Sequence, residues 1–485
     1  MGMDLVICHD TEDVYTPAEA GMDEVPKRLA EIYTEEGIPA HFMVIGDRAR
    51  LLKERGREDV IAAMRRHSIG VHTLHDAQPY DAVEAASREW DEALAIVREM
   101  QREAYRAVAE SFDCEPVCLS AHALNSAPQM NIVARELGLP FLYGYAAAPP
   151  LYNVSRYCGT LNFPYFTRQL PVPAPYFEGF DDALSCEPEF EAHLERFERH
   201  VQACLSVGQP LLLLHPCHPF KIYSLDWVDF YLSPNGVLIP PDEWPKRPGP
   251  GRRSRGEVEL ALQNFRRLVR YIKRHPQLNP ITIPEAVRKY GSVPRKIDWL
   301  ALMAGAQRVC AERQVSVGGQ FSPAELVLGW AQSLLTFAHE GQLPRYVERH
   351  NDCLGPVEDP LITPEEPGKI NSHALVALGD ALLSHAREKG HLPANVALPG
   401  GRLVGLGSLH YALAQAYLAV SREGQLPDAV VLERFPRQPE IGLEIGRQYA
   451  DLAESVLVRP NLDVGRLYRW GKLQAWTLAP AWCGA

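Results

Sequence analysis

Short apolar segments alternate with amphipathic helical patterns through about the first 290 residues, and this alternation constrains the fold more than any other feature. A helix that crosses from one strand to the next returns the chain to the same end of the sheet, so the strands run parallel. The pattern therefore predicts a parallel sheet or barrel. The predicted strands are Asp4–Cys8, Ala40–Ile45, Pro116–Leu119, Phe141–Gly144, Leu211–Leu214 and Ile281–Ile283. The predicted helices are Asp23–Glu36, Glu58–His67, Ala82–Ser111, Met130–Gly138, Glu189–Leu205, Glu257–His275 and Pro284–Tyr290.

The chain changes character beyond Pro294, where long helical patterns dominate. Three of them end in Gly-x-Leu-Pro, with prolines at Pro344, Pro393 and Pro427, which are 49 and 34 residues apart. Glycine is the usual residue at a helix C-terminus. These units are similar to short repeats in some cell-wall-binding proteins. We predict two domains, a barrel over 1–295 and an all-α helical domain over 296–485, with packing or homo-oligomer formation favoured for the second.

Composition excludes some functions. The chain has 49 basic and 61 acidic residues, a formal charge of −12, which argues against nucleic acid as a partner because phosphate binding needs a basic surface. No apolar run is long enough to span a membrane. The first residues already form a strand rather than a secretory signal, and the ten cysteines lack disulfide-scaffold spacing, so a cytoplasmic location is expected.

The segment His9-Asp10-Thr11-Glu12-Asp13 directly follows the first predicted strand. In a barrel, the carboxyl ends of the strands face the loops that form the site. Carboxylates suit a divalent cation, and one that is left uncoordinated can act as a base. Acidic clusters are also common in solvated turns, but the position after a buried strand favours a site.

Three later segments place histidines after predicted elements. His72 and His75 lie close enough to bind one metal if the backbone turns between them. His215 ends a late apolar strand, where it could act as a general acid or simply cap the strand. His122 or Asn125 could orient substrate or a catalytic group, or satisfy the loop's own backbone. The segments are Gly70–Asp76, Leu211–His218 and Cys118–Asn125.

Two aromatic residues are candidates for stacking on a sugar ring. Trp227 lies in the long loop Leu225–Gly256, and Tyr165 lies ahead of the segment Arg168–Val172. Aromatic rings suit this role because one face is apolar, although they often serve local packing instead. Both are predicted to bind substrate.

The order of these motifs resembles the polysaccharide deacetylase family, carbohydrate esterase family four. The resemblance covers nearly all of residues 4–290 and includes the strand-two motif Gly37–Gly46, Gly-x-His-Thr at 70–73 and Leu-x-His at 213–215. It implies an α/β fold with a distorted (β/α) barrel. It also implies one divalent metal, zinc or another cation, held by one carboxylate and two histidines.

The resemblance further implies the role of each residue. Asp10 would be the catalytic base, with Glu12 or Asp13 as the carboxylate ligand. His72 and His75 would be the histidine ligands, and His215 the general acid. Such a metal polarises an amide carbonyl and lowers the pKa of water to about 7. The predicted substrate-binding residues are His122, Asn125, Tyr165 and Trp227.

The sequence departs from the family pattern in three places. The family's first motif usually has two adjacent aspartates or Asp-x-Asp, whereas Asp10-Thr11-Glu12-Asp13 leaves the carboxylate ligand open between Glu12 and Asp13. The two histidines of this sequence are three residues apart rather than four, so either the loop is tighter or His75 is not a ligand. The family's third motif carries an arginine that orients the base, and the stretch Ser120–His122 has none, so either His122 replaces it or the base is less well tuned.

The leading functional hypothesis is a metal-dependent hydrolase that removes an N-acyl group, such as acetyl, from an amino sugar. One alternative is a small-molecule amidase acting on non-peptide C–N bonds. The other is a catalytically inactive carbohydrate-binding or assembly protein. The expected partner is a carbohydrate or an N-acetylated small molecule.

Overall fold

The computed structural model describes most of the chain. The described residues are 2–76, 81–122, 126–144, 153–165, 173–227, 239–240, 243, 251–315, 320–362, 368–398, 400–440 and 463–481. The predicted site residue Asn125 and most of the loop after Trp227 lie outside these ranges.

The first part of the chain is an α/β fold built on a curled sheet of the distorted barrel type, as predicted. The strands run β8-β9-β1-β2-β3-β4-β5-β7-β6-β17 across it, and β10 also pairs with β1. All neighbours from β8 to β7 pair in parallel, whereas β6 is antiparallel to both of its partners. The strands are β1 Met3–Thr11, β2 His41–Val44, β3 Ser68–Val71, β4 Leu119–Ser120, β5 Phe141–Gly144, β6 Ser155–Tyr157, β7 Thr160–Pro164, β8 Tyr176–Glu178, β9 Leu211–His215, β10 Leu278–Pro280 and β17 Ala479–Pro480.

Strand β1 lies in the middle of this sheet and is buried along its whole length. It pairs with β2 through Cys8–Thr11 and with β9 through Asp4–Ile7. A strand covered on both faces is expected to be a continuous apolar run, which is true of Leu5–Cys8. Its second half carries polar residues into the interior at the carboxyl end of the sheet.

Helices cover the sheet and connect its strands. The helix α9 begins at a capping box in which Thr282 Oγ1 accepts the amide of Glu285 and the Glu285 side chain accepts the amide of Thr282. The helices of this part are α1 Glu24–Glu36, α2 Gly46–Glu54, α3 Glu58–Met64, α4 Asp81–Ala86, α5 Trp90–Phe112, α6 Pro128–Glu136, α7 Glu187–Ser206, α8 Arg255–Arg274 and α9 Ile283–Tyr290.

Several elements differ from the sequence prediction, and α2, β6, β7 and β8 had no predicted counterpart. The strand predicted at Ile281–Ile283 lies earlier, at β10, because Thr282 caps α9. The single helix predicted over Ala82–Ser111 is two helices, α4 and α5. The strand β3 was not predicted, since its four residues follow directly on a helical pattern and are too few to show a period of their own.

The region after α9 combines long helices with short two-stranded ladders. Its predicted helices are present, and the ladders are an addition to the predicted all-α composition. The antiparallel pairs are β11 with β12, β13 with β16 and β14 with β15. The elements are β11 Lys296–Asp298, α10 Trp299–Glu312, α11 Pro323–Glu340, β12 Tyr346–Glu348, β13 Gly368–Asn371, α12 Ser372–Lys389, β14 Asn395–Ala397, β15 Leu403–Gly405, α13 Leu406–Glu423 and β16 Ala429–Leu432.

The three Gly-x-Leu-Pro motifs end helices, as predicted. Gly341, Gly390 and Gly424 follow α11, α12 and α13, with φ angles of 75°, 72° and 67°. This left-handed conformation strains any residue with a Cβ, and it turns the glycine amide back to a carbonyl of the last helical turn. Each motif leads into one of the short strands. The assignment of the three units to a repeat domain stays a prediction.

The buried apolar residues form two main clusters, one around the sheet and one from Ile297 to Phe435 that also includes Trp476. The final described segment, α14 Val464–Gln474 and β17, returns to the sheet. Trp470 packs on Trp90 at 5.4 Å between ring centroids, and β17 pairs with β6. These residues bury their apolar faces against the barrel, and the division of the chain at residue 295 stays a prediction.

In the parts of the chain described above, the helices are too short or too polar to cross a bilayer.

Candidate metal centre

Six ionisable side chains from four strand ends and the segments that follow them meet at the carboxyl edge of the sheet. Parallel strands all end at the same edge, which is where such side chains converge. All six are at most 8% exposed. They are Asp10 in β1 and Glu12 just after it, His72 after β3, His122 after β4, and His215 and His218 at and after the end of β9.

Three of these side chains form a compact set of potential ligands. Glu12 Oε1 lies 3.3 Å from His72 Nε2 and 2.9 Å from His122 Nδ1, and the two nitrogens are 3.3 Å apart. Ligands at 2.0–2.1 Å from a tetrahedral metal lie about 3.3 Å from one another. The triad has the size that a tetrahedral divalent metal requires.

The outer partners of the two histidines fix the nitrogens that face the triad. The Ser120 hydroxyl donates to the Val71 carbonyl at 2.9 Å, so at 2.7 Å it accepts the Nδ1–H of His72. His72 Nε2 is therefore left with its lone pair, as a metal ligand needs. On the far side of His122, Nε2 lies 3.6 Å from Asp76 Oδ1.

The electrostatics of Glu12 also fit a cation. Burial would raise the pKa of its carboxyl, but the adjacent His122 and His72 hold that pKa well below the usual range. Glu12 Oε2 is buried and has no hydrogen-bond partner within the described residues. A buried carboxylate oxygen without a donor indicates a missing partner, and a metal ion would supply one.

Asp10 lies beside this triad rather than in it. Its Oδ2 is 3.6 Å from His72 Nε2, 3.7 Å from His215 Nε2 and 3.9 Å from His218 Nε2. Burial raises its pKa and Glu12 adds to this effect, while His72 and His218 oppose it. A carboxylate in this position, with a raised pKa, can accept a proton from a water held at the triad.

His75, one of the two predicted histidine ligands, lies outside the triad. Its Nδ1 bonds Asp47 Oδ2 at 2.7 Å in α2, and its side chain is about a third exposed. The cause is Thr73, whose φ of 67° turns the chain away after His72. The amides of Gly46 and Asp47 then fix the turned segment to the start of α2. His122 occupies the third corner instead.

Asp13, the alternative carboxylate ligand, is also directed elsewhere. Its φ is 55°, and its Oδ1 accepts the amide and the hydroxyl of Thr16 at 3.1 and 2.7 Å. Its own carbonyl accepts a hydrogen bond from Arg48 at 3.1 Å. Asp13 shapes the turn after β1, which leaves Glu12 as the carboxylate at the triad.

Aromatic rings form one wall of the site. Tyr165 packs against Tyr143 and Tyr176, with ring centroids 5.8 and 4.7 Å apart, and its hydroxyl donates to Glu178 at 3.2 Å. Trp227 lies edge-on to His218 at 4.6 Å. Both predicted aromatic residues therefore lie beside the ionisable cluster.

Sequence reasoning assigned no role to three residues that the structure places in the site. His218 follows His215 in the segment His-Pro-Cys-His, and a second histidine directly after a buried strand was the available signal. Asp181, which pairs with His218, lies in a loop that has no motif. Tyr143 has a φ of 57°, and strained non-glycine residues of this kind cluster at functional sites.

Comparisons with known proteins show similarity in structure alone. No family model and no curated protein matches the chain. A Mycobacterium smegmatis protein assigned as a polysaccharide deacetylase is 14% identical with a TM-score of 0.38, over 60% of this chain and 92% of its own. PuuE allantoinase is 16% identical with a TM-score of 0.36, over 59% of this chain and 89% of its own. A Pseudomonas aeruginosa PAO1 protein, also assigned as a polysaccharide deacetylase, is 15% identical with a TM-score of 0.36, over 59% of this chain and 90% of its own.

Proposed function

We propose that this chain is a metal-dependent hydrolase that removes an N-acyl group, such as acetyl, from an amino-sugar substrate. The observation that carries the proposal is the buried triad of Glu12, His72 and His122, with ligand atoms 2.9–3.3 Å apart beside an uncoordinated Asp10. Two neutral imidazoles and one carboxylate are a common catalytic zinc set, which leaves one position for water or substrate.

The roles follow from the geometry. A divalent metal in this triad supplies polarisation of an acyl carbonyl and a lower pKa for water. Asp10 accepts the proton that the attacking water gives up, because it is not one of the three ligands and its Oδ2 lies 3.6 Å from His72 Nε2. Tyr165 and Trp227, which are both partly exposed, offer ring faces on which a sugar can stack.

Metal analysis of four proteins tests the proposal. We expect about one zinc per chain in the wild type. His122→Ala should lose the zinc, whereas His75→Ala, the matched control three residues from His72, should keep it. Asp10→Asn should keep the zinc and lose acetate release from N-acetylglucosamine oligomers.

The opposite result is equally informative. Zinc lost in His75→Ala and retained in His122→Ala would contradict the proposed ligand set and favour His72 with His75, the pair that the family resemblance implies. A wild-type protein that binds no metal would contradict the proposed hydrolase function and favour a carbohydrate-binding role. A zinc-loaded wild type that hydrolyses only small amides would replace the amino-sugar substrate.

A further inference from the structure

The imidazole of His218 is held by a carboxylate that the metal triad does not use. Its backbone amide donates to Asp181 Oδ1 at 2.7 Å, and its ring Nδ1 lies 3.3 and 3.2 Å from the two Asp181 oxygens. A carboxylate accepts only, so Nδ1 carries a hydrogen and donates it to Asp181. The other nitrogen, Nε2, faces Asp10 Oδ2 at 3.9 Å.

His215 has the reverse arrangement. The backbone amide of Asp10 donates to its Nε2 at 3.3 Å, so this nitrogen presents a lone pair to the site rather than a hydrogen. Its Nδ1 is buried without a hydrogen-bond partner among the described residues. Burial, together with the nearby His218, lowers the pKa of His215 well below the usual range. The ring is neutral, and its proton lies on the nitrogen that faces away from Asp10.

The surroundings of His218 favour its charged form. Burial would lower its pKa, but Asp181, Glu12 and Asp10 together outweigh burial, so the pKa lies well above the usual range. Four carboxylates face His218: Glu178 in β8, Asp181 after it, Asp10 in β1 and Glu12 just after β1. The other groups that face it are His9, His215 and Trp227, and Lys221 lies beside the Trp227 ring.

We propose that His218, oriented by Asp181, is the proton donor to the departing amine, and that His215 positions the backbone of Asp10. The inference rests on the proposed hydrolase function and names its acid. It differs from the sequence prediction, in which His215 was the acid. Trp227 and Phe220 cover the His218 ring, which keeps bulk water from the donor.

The proton balance of the reaction closes with these groups. The oxygen of water bonds to the carbonyl carbon while Asp10 Oδ2 takes one water proton. The C–N bond then breaks, its electron pair stays on nitrogen, and His218 Nε2–H supplies the proton that completes the amine. Asp10 is left protonated and His218 neutral. Passage of the proton from Oδ2 to Nε2, 3.9 Å away, restores both groups.

Nitrogen-15 NMR of the histidine rings tests the inference without any substrate. In the zinc-loaded protein at pH 7, we expect both ring nitrogens of His218 to be protonated and His215 to be neutral with its hydrogen on Nδ1. Spectra of His218→Gln and His215→Gln assign the two signals. Asp181→Asn should move the titration of His218 to lower pH, since it removes the anion that favours the imidazolium. A neutral His218 at pH 6 in the wild type would overturn the inference.

Leaving-group dependence separates an acid from a structural residue. An amine must be protonated as it departs, whereas p-nitrophenolate leaves without a proton. In His218→Gln, hydrolysis of N-acetylglucosamine oligomers should fall about 10²–10⁴-fold, and hydrolysis of p-nitrophenyl acetate should fall far less. In His215→Gln both should fall together, because Asp10 serves both reactions.

The possible failures are distinguishable when zinc is measured on the same samples. If zinc-loaded His218→Gln loses amide and ester hydrolysis equally, the proposed role of His218 is overturned while the hydrolase function stands. A zinc-loaded wild type that hydrolyses neither compound would overturn the hydrolase function, and the role of His218 with it.

Discussion

Two buried histidines, His72 in the barrel and His410 in the helical region, show what separates a site from a core. Both rings are almost inaccessible to water. His72 has Ser120 on one nitrogen and Glu12, His122 and Asp10 around the other. His410 lies between the rings of Trp330 and Trp476, at 5.0 and 5.2 Å, and neither nitrogen has a hydrogen-bond partner in the described parts of the chain.

The difference shows that burial alone does not make a histidine a ligand or a proton donor. Burial lowers the pKa of His410 to about 3, so the ring is neutral and packs as an uncharged side chain. The rings in the barrel have oriented partners and converging carboxylates, which define a proton position and a ligand direction. Among its described residues, the helical region buries the ion pair of Arg349 with Glu325, and most of its other buried side chains are apolar.

The largest expected effect is that of zinc on stability. Zinc at a free concentration one hundred times its dissociation constant should stabilise the wild type by about 2.7 kcal/mol, because only the folded triad binds it. Thermal unfolding with and without zinc measures this. His410→Leu should keep the full increment and His72→Ala should show none. An equal increment in His72→Ala would mean that the metal binds elsewhere and would break the comparison.

A smaller effect is expected at the hydroxyl that orients His72. Ser120→Ala removes the acceptor for Nδ1–H, and loss of such an outer partner typically weakens metal affinity 10–100-fold. Competition with a zinc chelator measures the change. Ser333→Ala is the control, since this buried hydroxyl donates only to a carbonyl of its own helix, at Gly329. Equal zinc affinities in both variants would show that Ser120 does not orient the ligand.

The smallest effect at neutral pH is expected for His410→Leu. Replacing an unpaired buried polar ring should change the free energy of unfolding by no more than about 1 kcal/mol. The folded pKa is depressed to about 3, so the unfolded histidine binds a proton below about 6.5 while the folded one does not. The wild type therefore loses stability as pH falls from about 6.5 toward 3, and the variant is spared this loss.

Urea unfolding at two pH values checks this last prediction. At pH 5 the variant should gain about 2 kcal/mol over the wild type relative to their difference at pH 7. A constant difference between pH 7 and pH 5 would show that His410 is charged or exposed in the folded protein, and would remove its contrast with His72.

The sequence could predict the barrel, but only part of the site. Strand β1 and its acidic end were evident because an apolar run leads directly into charged residues. His215 was placed at the end of a predicted strand for the same reason, whereas His72 was expected in the site only through its Gly-x-His-Thr motif, since β3 was not predicted. These inferences depend on local patterns, which a single sequence contains.

The exchange of His75 for His122 could not be predicted in the same way. It depends on the pairing of Val71 with Leu119 across β3 and β4, which sets His72 and His122 side by side. It also depends on the positive φ of Thr73, a β-branched residue that gives no sign of this conformation in the sequence. The choice of Glu12 over Asp13 has a similar origin, because the left-handed backbone at Asp13 directs its carboxylate to Thr16.

The pairing of β17 with β6 has a consequence for biosynthesis. The edge of the sheet at Ser155–Tyr157 receives its last neighbour only after the ribosome has made the helical region, more than 300 residues later. Until then the nascent barrel exposes an unpaired strand and the indole of Trp90, and open strands of this kind recruit other chains. A fragment cut at residue 295 would keep every metal ligand and yet be prone to aggregate, so expression studies of the isolated barrel would report on its edge rather than on its chemistry.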